Sequence, residues 1–320
     1  MFGLVEPPLF TRLRGAGRVL IAGAGGGFDV YAGLPLALAL RSQGKQVHLA
    51  NLSFSNLDGL DLGDWVEPGV AAVHPASRGN DDYFPERTLA RWLAASGLPA
   101  TVWAFPRSGV RPLRSAYRSL VLRLNLDAVV LVDGGTDILM RGDEAGLGTP
   151  EEDMTSLAAV AGLDGDLVRL VACLGFGIDA HHGVCHAHVL ENLAALQRLG
   201  AYLGAFSLPA GSAEAEAYLD AVAHAQAATP RRPSIVNGQI AAAVRGEFGD
   251  VHATARTSGS ELFVNPLMAL YFTLDLPGLA RTVDYLPRLE NTEHAHEVAF
   301  AIRAHHKTRG RPRPPRSIPH

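Results

Sequence analysis

The sequence predicts an α/β fold of the Rossmann-like, doubly wound type, a mostly parallel sheet with helices on both faces. Three observations predict it. Short apolar runs of about four to eight residues recur between Gly, Pro, Asp or Asn, as strands do. Longer segments with apolar residues on a helical period lie between them, and several close on glycine, a common helix C-terminus. The two kinds alternate along the chain, which is the pattern of a parallel sheet covered by helices.

In order, GRVLIAG (17–23), KQVHLAN (45–51), ATVWAFP (100–106), DAVVLVD (127–133), LVRLVACLG (167–175) and AYLGAFSL (201–208) read as strands. The helix candidates are GLPLALALRSQG (33–44), PERTLARWLAASG (85–97), VRPLRSAYRSLVLRLN (110–125), TPEEDMTSLAAVAG (149–162) and VLENLAALQRLG (189–200). No internal repeat and no Pro/Gly/Ser linker divides the chain. Residues 1–14 read as an N-terminal extension, 15–303 as one α/β domain, and the less regular stretch 230–275 as packed onto it. From 304 to 320 the chain reads as a basic, proline-rich, disordered tail, because no acidic residue follows Glu297 while Arg303, Lys307, Arg309, Arg311, Arg313 and Arg316 do.

Composition narrows the function classes. With 320 residues, 48% hydrophobic and 19% charged, the chain is ordinary globular material. Its apolar runs fall short of the ~20 residues of a membrane span, and Glu6 and two prolines interrupt any signal-peptide core. Two cysteines, Cys173 and Cys185, make no disulfide framework. A cytoplasmic protein is expected. A formal net charge of −4 gives no nucleic-acid footprint.

Ligands of doubly wound sheets bind beyond the carboxyl ends of the strands. Five strand candidates end there in polar or glycine-rich residues: AGGGFD, Asn51, DGGTD, FGIDAHH and Ser207. In the first loop Gly25, Gly26 and Gly27 allow close backbone approach by a ligand. The dinucleotide fingerprint fails, however, since its third glycine falls on Phe28 and its ribose-binding acid on Asn51, so NAD is not expected. Asp29 suits an amine, hydroxyl or cation.

The stretch VLVDGGTDILMRGDEAGLGTPEED (130–153) is the strongest signal. Asp133, Asp137, Asp143 and Glu144 supply oxygen ligands at a density that suits Mg²⁺ or Mn²⁺. Glu151, Glu152 and Asp153 are instead expected to serve the start of a helix, behind Thr149 as N-cap and Pro150. In GIDAHHGVCHAHVLENL, Asp179 follows a strand, and His182 and His186 are spaced to share a helix face as acid, base or metal ligand. In GEFGDVHATARTSGSELFVNPLM, His252 could supply a proton and Arg256 anchor an anionic group, with Ser260, Glu261 and Asn265 as further polar contacts.

The succession AGGGFDVYAGLPLA, DGGTDILMRGDEAGLGTPEED, HHGVCHAHVLENLAAL and FGDVHATARTSGSELFVNPLMALY resembles the family called domain of unknown function 1152, over about residues 15–303. That resemblance brings little function with it. A fainter likeness, confined to DGGTD, is to the glycine-rich acidic loop of D-glutamate cyclases, which act on small amino acids. Thr136 and Asp137 stand where that loop tends to read Asn-Glu, and no residue role is carried across.

The expected function is that of an enzyme acting on a small polar metabolite, anionic or like an amino acid or nucleotide, by hydrolysis or elimination. Neither a redox-cofactor motif nor a G-x-S-x-G nucleophile is present. Divalent-metal assistance is compatible with the carboxylates. The alternative is a small-molecule binding or sensor protein using the same crevice without turnover. Membranes and nucleic acids are not expected partners, and the apolar LFVNPLMALYF run suits either a core or a homo-oligomer interface.

Overall fold

Continuously apolar strands must be covered on both faces, and this requirement shapes the fold. The computed structural model describes residues 3–254, 257–259 and 261–318. Its first half runs α1 (Pro8–Leu13), β1 (Arg18–Gly23), α2 (Asp29–Ala32), α3 (Leu34–Ser42), β2 (Gln46–Ser53), β3 (Trp65–Glu67), β4 (Val70–Val73), α4 (Pro85–Ala95), β5 (Val102–Pro106) and α5 (Val110–Leu124). Next come β6 (Ala128–Asp133), α6 (Pro150–Ala161), β7 (Val168–Leu174), α7 (His186–Arg198), β8 (Tyr202–Ser207), α8 (Ala213–Ala228) and α9 (Ile235–Val244). The chain closes with β9 (Gly249–Asp250), β10 (Phe263–Val264), β11 (Leu270–Asp275), α10 (Leu276–Ala280), α11 (Leu286–Leu289) and α12 (Ala295–Thr308).

Nine strands form one sheet in the order β3-β4-β5-β2-β1-β6-β7-β11-β8. The central five, β5-β2-β1-β6-β7, are parallel throughout. β4 and β11 run against their neighbours, so the remaining seven strands point one way. Successive residues on the central strands feed opposite layers. Leu20, Val129, Val171 and Cys173 belong to one buried cluster, with Leu113 and Tyr117 of α5 and Met154 and Leu157 of α6. Val19, Ile21, Val130 and Leu170 belong to the other, with Leu36 of α3, Leu89 of α4 and Tyr218 of α8. Cβ alternation on an apolar strand therefore builds both layers of a doubly wound sheet.

All six strand segments and five helix segments read from the sequence are present. Among the elements the sequence does not mark are β3, β4 and β11 and the helices α8, α9 and α12. β11 begins in the apolar run that suited core or interface alike, and it pairs with β7 and β8 inside the sheet. The chain order hides it, because it is inserted between strands that precede it. α8 escapes periodicity because alanine dominates AEAEAYLDAVAHAQAA, leaving few large side chains to mark its buried face. Both cysteines are free. Among the described residues no helix is long and apolar enough to cross a membrane.

The end of the chain departs from a free tail beginning at residue 304. α12 continues to Thr308, and an isolated bridge joins Arg313 to Glu144. The Arg313 guanidinium donates to Asp143 (2.9 Å), Glu144 (2.8 Å) and the Asn192 side-chain oxygen (3.1 Å), and it also pairs with Glu191. Backbone bonds from Ala145 N to Arg313 O (3.0 Å) and from Arg313 N to Asp143 O (2.7 Å) add to the hold. A basic, proline-rich composition marks disorder only when no buried acid waits for the charge, and here Glu144 is fully buried. Arg313→Ala should destabilise the protein by about 2–4 kcal/mol in urea denaturation, since it leaves a buried carboxylate without its cation. Arg311→Ala should change stability by less than about 0.5 kcal/mol.

Candidate functional site

Viewed from the centre of the sheet, β2 and β5 lie on one side of β1 and β6 and β7 on the other. The switch point therefore falls between β1 and β6, the place where such sheets bind ligands. The loops leaving β1, β6 and β7 meet there around a cavity of about 280 Å³. Its acidic lining consists of Asp29, Asp133, Asp137, Asp153 and Asp179. Gly25, Gly134, Thr149, His181 and His182 lie beside them. Ile178, Ile235, Val236, Gln239, Thr257 and Leu262 form the remainder.

Each aspartate is placed by a different piece of chain. Asp133 is the last residue of β6 and accepts from Ile138 N at 3.4 Å. Asp137 opens a short 3₁₀ turn and accepts from Thr149 N (2.8 Å) and Thr149 Oγ1 (3.2 Å). Asp179, after β7, accepts from Thr136 N at 2.7 Å. Asp29, half-buried at the start of α2, accepts from Gly25 N at 2.7 Å. Asp153 lies in the first turn of α6, and its Oδ1 has no hydrogen-bond partner. The loop packs so tightly that a Cβ on Gly135 would stand 2.6 Å from Asp179 Oδ2, which explains the second glycine of DGGTD.

Burial and mutual repulsion dominate the electrostatics. Burial first, and then the neighbouring carboxylates, push the Asp133 and Asp153 carboxyls well above their ordinary range. Asp179 is raised well above it too, by burial and then by Asp137, and Asp137 is raised by its own burial. Asp29 is pushed up to about 8 by burial, against the pull of the Gly25 N–H. No lysine or arginine lines the cavity among the described residues.

Asp29, Asp133 and Asp153 each offer a carboxylate oxygen, and the three atoms lie within 4.8 Å of one another. Oxygens bound to one hard cation at about 2.1–2.4 Å span about that distance when they face each other across the ion. These three residues could thus hold Mg²⁺ or Mn²⁺, aided by the partial positive charge at the N-terminus of α6.

The structure sorts the residues expected from the sequence. Asp29, Asp133, Asp137, Asp179, His182 and Gly25 come together in the cavity. Asp143 and Glu144 do not. They turn to Arg313, and Glu144 also accepts from Arg141 N, Gly142 N and Asn192 Nδ2. The reason is that a tight turn at 141–144 supplies backbone donors and the C-terminal segment supplies the cation. Asp153 was expected to serve the helix start, but Thr149 makes no side-chain cap and instead binds Asp137, so Asp153 faces the cavity.

His182 and His186 do not share a helix face. His182 ends a 3₁₀ turn and His186 begins α7, with Gly183 at φ 87° between them. His186 packs on Phe176 along a neighbouring groove, which Asn265 also lines. His252 sits behind the cavity, its ring between Asp250 (3.1 Å) and Thr257 Oγ1 (3.1 Å). Asn51 lies beneath the first loop, donating to Gly27 O (2.8 Å) and Glu86 (2.7 Å). Gly26 and Gly27 give no open approach, because the Phe54 ring and the Tyr83 hydroxyl lie over them. Glu261 is exposed, and Ser207 at the end of β8 is exposed as well. Arg256 and Ser260 lie outside the described residues.

Sequence reasoning missed Asp153 and the wall that α9 contributes through Ile235, Val236 and Gln239. The signal for Asp153 was the surplus of acid in TPEED: one carboxylate at the third helical position suffices for a capping box. Nothing local marks the α9 residues, which reach the cavity by tertiary packing of Asn237 Nδ2 on Phe28 O (3.1 Å).

The fold and the site define an α/β protein with an acidic cavity at the switch point of a doubly wound sheet. The chain belongs to the family described as Protein of unknown function (DUF1152), whose model matches residues 20–308. No curated protein matches the chain.

The raised carboxyls imply a pH dependence with a definite sign. A carboxyl whose folded pKa exceeds its unfolded value binds more protons in the folded state, so stability falls as pH rises between the two values. For Asp29 that window runs from 3.8 to about 8. Cation-free protein should lose thermal stability steadily from pH 5 to pH 8, read by scanning calorimetry. Saturating Mn²⁺ should remove most of that slope. Glu86, pushed up to about 7 by burial outside the cavity, should keep a small part of it.

Proposed function

We propose that this protein is a divalent-cation-dependent enzyme that acts on a small polar metabolite by hydrolysis or elimination. The observation that carries the reading is the set of carboxylate oxygens from Asp29, Asp133 and Asp153, within 4.8 Å of one another at the switch point. Three acids, Asp133 and Asp153 buried and Asp29 half-buried, repel one another with no lysine or arginine among the described lining residues. Natural chains keep such an arrangement where a ligand relieves it, and perturbed carboxyls gathered in a cleft are the usual mark of a functional site.

A bound Mg²⁺ or Mn²⁺ would polarise a substrate oxygen and lower the pKa of a water beside it. The protein's own groups do the rest. Asp29, Asp133 and Asp153 would hold the cation from three separate elements, the start of α2, the end of β6 and the first turn of α6. His182 lines the same cavity, close enough to Asp137 to act on its charge. It carries the proton removed from water in hydrolysis, or from carbon in elimination. Ile178, Ile235, Val236 and Leu262 limit the water around the reacting atoms and accept a carbon skeleton.

Isothermal titration should show one Mn²⁺ or Mg²⁺ per chain, with binding lost in Asp133→Asn and Asp153→Asn. In the absence of cation Asp153→Asn should melt higher than the unaltered protein, because it removes one of the repelling charges. A panel of phosphate esters, carboxylic esters, amides and β-hydroxy acids should then yield one substrate turned over by the loaded protein. His182→Gln should slow that turnover by about 100-fold or more while keeping the cation. A cation that binds equally well to Asp153→Asn would sink the assignment of its ligands, and a ligand bound tightly but never converted would make this a sensor.

A further inference from the structure

The cation and its three ligands leave two buried carboxyls, Asp137 and Asp179, with no lysine or arginine beside them among the described lining residues. Both line the cavity, both are more than nine-tenths buried, and Asp137 is the strongest charged neighbour of Asp179. If all five aspartates ionise they carry five negative charges, and one divalent cation offsets two. No arginine or lysine among the described lining residues offsets the others, and the histidines at the cavity are exposed to water. Hydrogen bonds from Thr136 N and from Thr149 N and Oγ1 hold Asp179 and Asp137 in place. A buried carboxylate pair of this kind is complementary to a positive group.

A second observation, on a different element, points to a ligand. Gln239 of α9 is 3% exposed and lines the same cavity, and its side-chain amide has no hydrogen-bond partner among the described residues. The amide is not sealed in protein but opens on the cavity, where a polar group of a ligand can take the place of water. Ile235, Val236 and Leu262 add apolar side chains to the same lining. At about 280 Å³ the space is smaller than the cavities that hold drug-sized molecules.

We propose that the metabolite is a small aliphatic amine, its ammonium group held by Asp137 and Asp179 and its far polar end by Gln239. The proposal rests on the cation-dependent reading of the same cavity and adds the class of substrate. It divides the five carboxylates into two sets, one for the metal and one for the amine. The apolar side chains take the short carbon chain between the two polar ends.

The test uses full-length, Mn²⁺-loaded protein and simple probes: 1,4-diaminobutane, 4-aminobutan-1-ol, butan-1-ol, butyrate and inorganic phosphate. Both amines should raise the melting temperature and bind in titration without displacing Mn²⁺, and butan-1-ol should do neither. Asp179→Asn and Asp137→Asn should each weaken amine binding about tenfold or more while keeping one Mn²⁺ per chain, which also shows that they are folded. Gln239→Leu should weaken 4-aminobutan-1-ol and leave Mn²⁺ unaffected. The proposal is overturned if no amine binds, or if butyrate or phosphate binds in preference to the amines. Amine binding that is unchanged in both aspartate variants overturns it as well. Amine binding in a protein that takes no Mn²⁺ would remove the metal reading and leave the amine site standing.

Discussion

Five aspartates repelling one another inside a cavity without a lysine or arginine among its described lining are the constraint around which the structure is organised. Nothing in local propensity asks for this arrangement, and burial makes each charge worse by taking it out of water. The fold answers with oriented dipoles. Backbone N–H groups of Gly25, Thr136, Ile138 and Thr149 each point at a different carboxylate, and Asp153 lies in the first turn of α6, near the positive end of its dipole. These donors come from loops that the sheet brings together, so the acids can be tolerated only because both apolar layers of the sheet hold the loops still. The cost at the switch point is spread over a core that extends through nine strands.

Much of this was legible in the sequence for one physical reason: period and punctuation are local. Apolar runs such as VLIA and AVVLV declare strands wherever they fall, and the acid or glycine that ends each one sits at a fixed distance along the chain. Asp29, Asp133, Asp137 and Asp179 were therefore readable as neighbours from topology alone, through the rule that places loops at the carboxyl edge. What was not readable depends on partners far away in sequence. Asn51 looks like a loop residue until Glu86 and the Gly27 carbonyl are seen around it. Gly26 and Gly27 look open until Phe54 is seen to lie over them, braced by the Arg107 guanidinium 5.3 Å above its ring. His182 and His186 have helical spacing, yet a single left-handed glycine between them breaks the face they would share.

Asp153 shows how two sound arguments can compete for one residue. Acids at a helix start stabilise the helix wherever the helix points, and this reading needs no tertiary information. A helix that begins directly after a ligand-binding loop has its N-terminus aimed at the ligand by the same geometry. Both statements hold for α6. Glu151 and Glu152 turn to Arg303 and Arg107, while Asp153, one step further round the helix, faces the cavity. A step of 100° per residue separates surface from site, and sequence alone does not supply the zero of that angle.

The stretch from Asp133 to Asp153 holds two acidic groups with different fates, and the difference is instructive because the residue types are the same. Asp143 and Glu144 are satisfied within the chain: Arg313 reaches them from 170 and 169 positions away, and the turn at Arg141 and Gly142 donates to Glu144. The aspartates of the cavity have no such arginine among the described residues. The chain carries basic residues in plenty near its end, and one of them is spent on a carboxylate of structural use. An acid paired to an arginine of its own chain is closed to ligands, since displacing the guanidinium would strand a buried charge. An acid left to backbone dipoles keeps its charge available to something that diffuses in. The distribution of arginine, more than that of aspartate, thus separates the part of this loop that builds the protein from the part that meets its ligand.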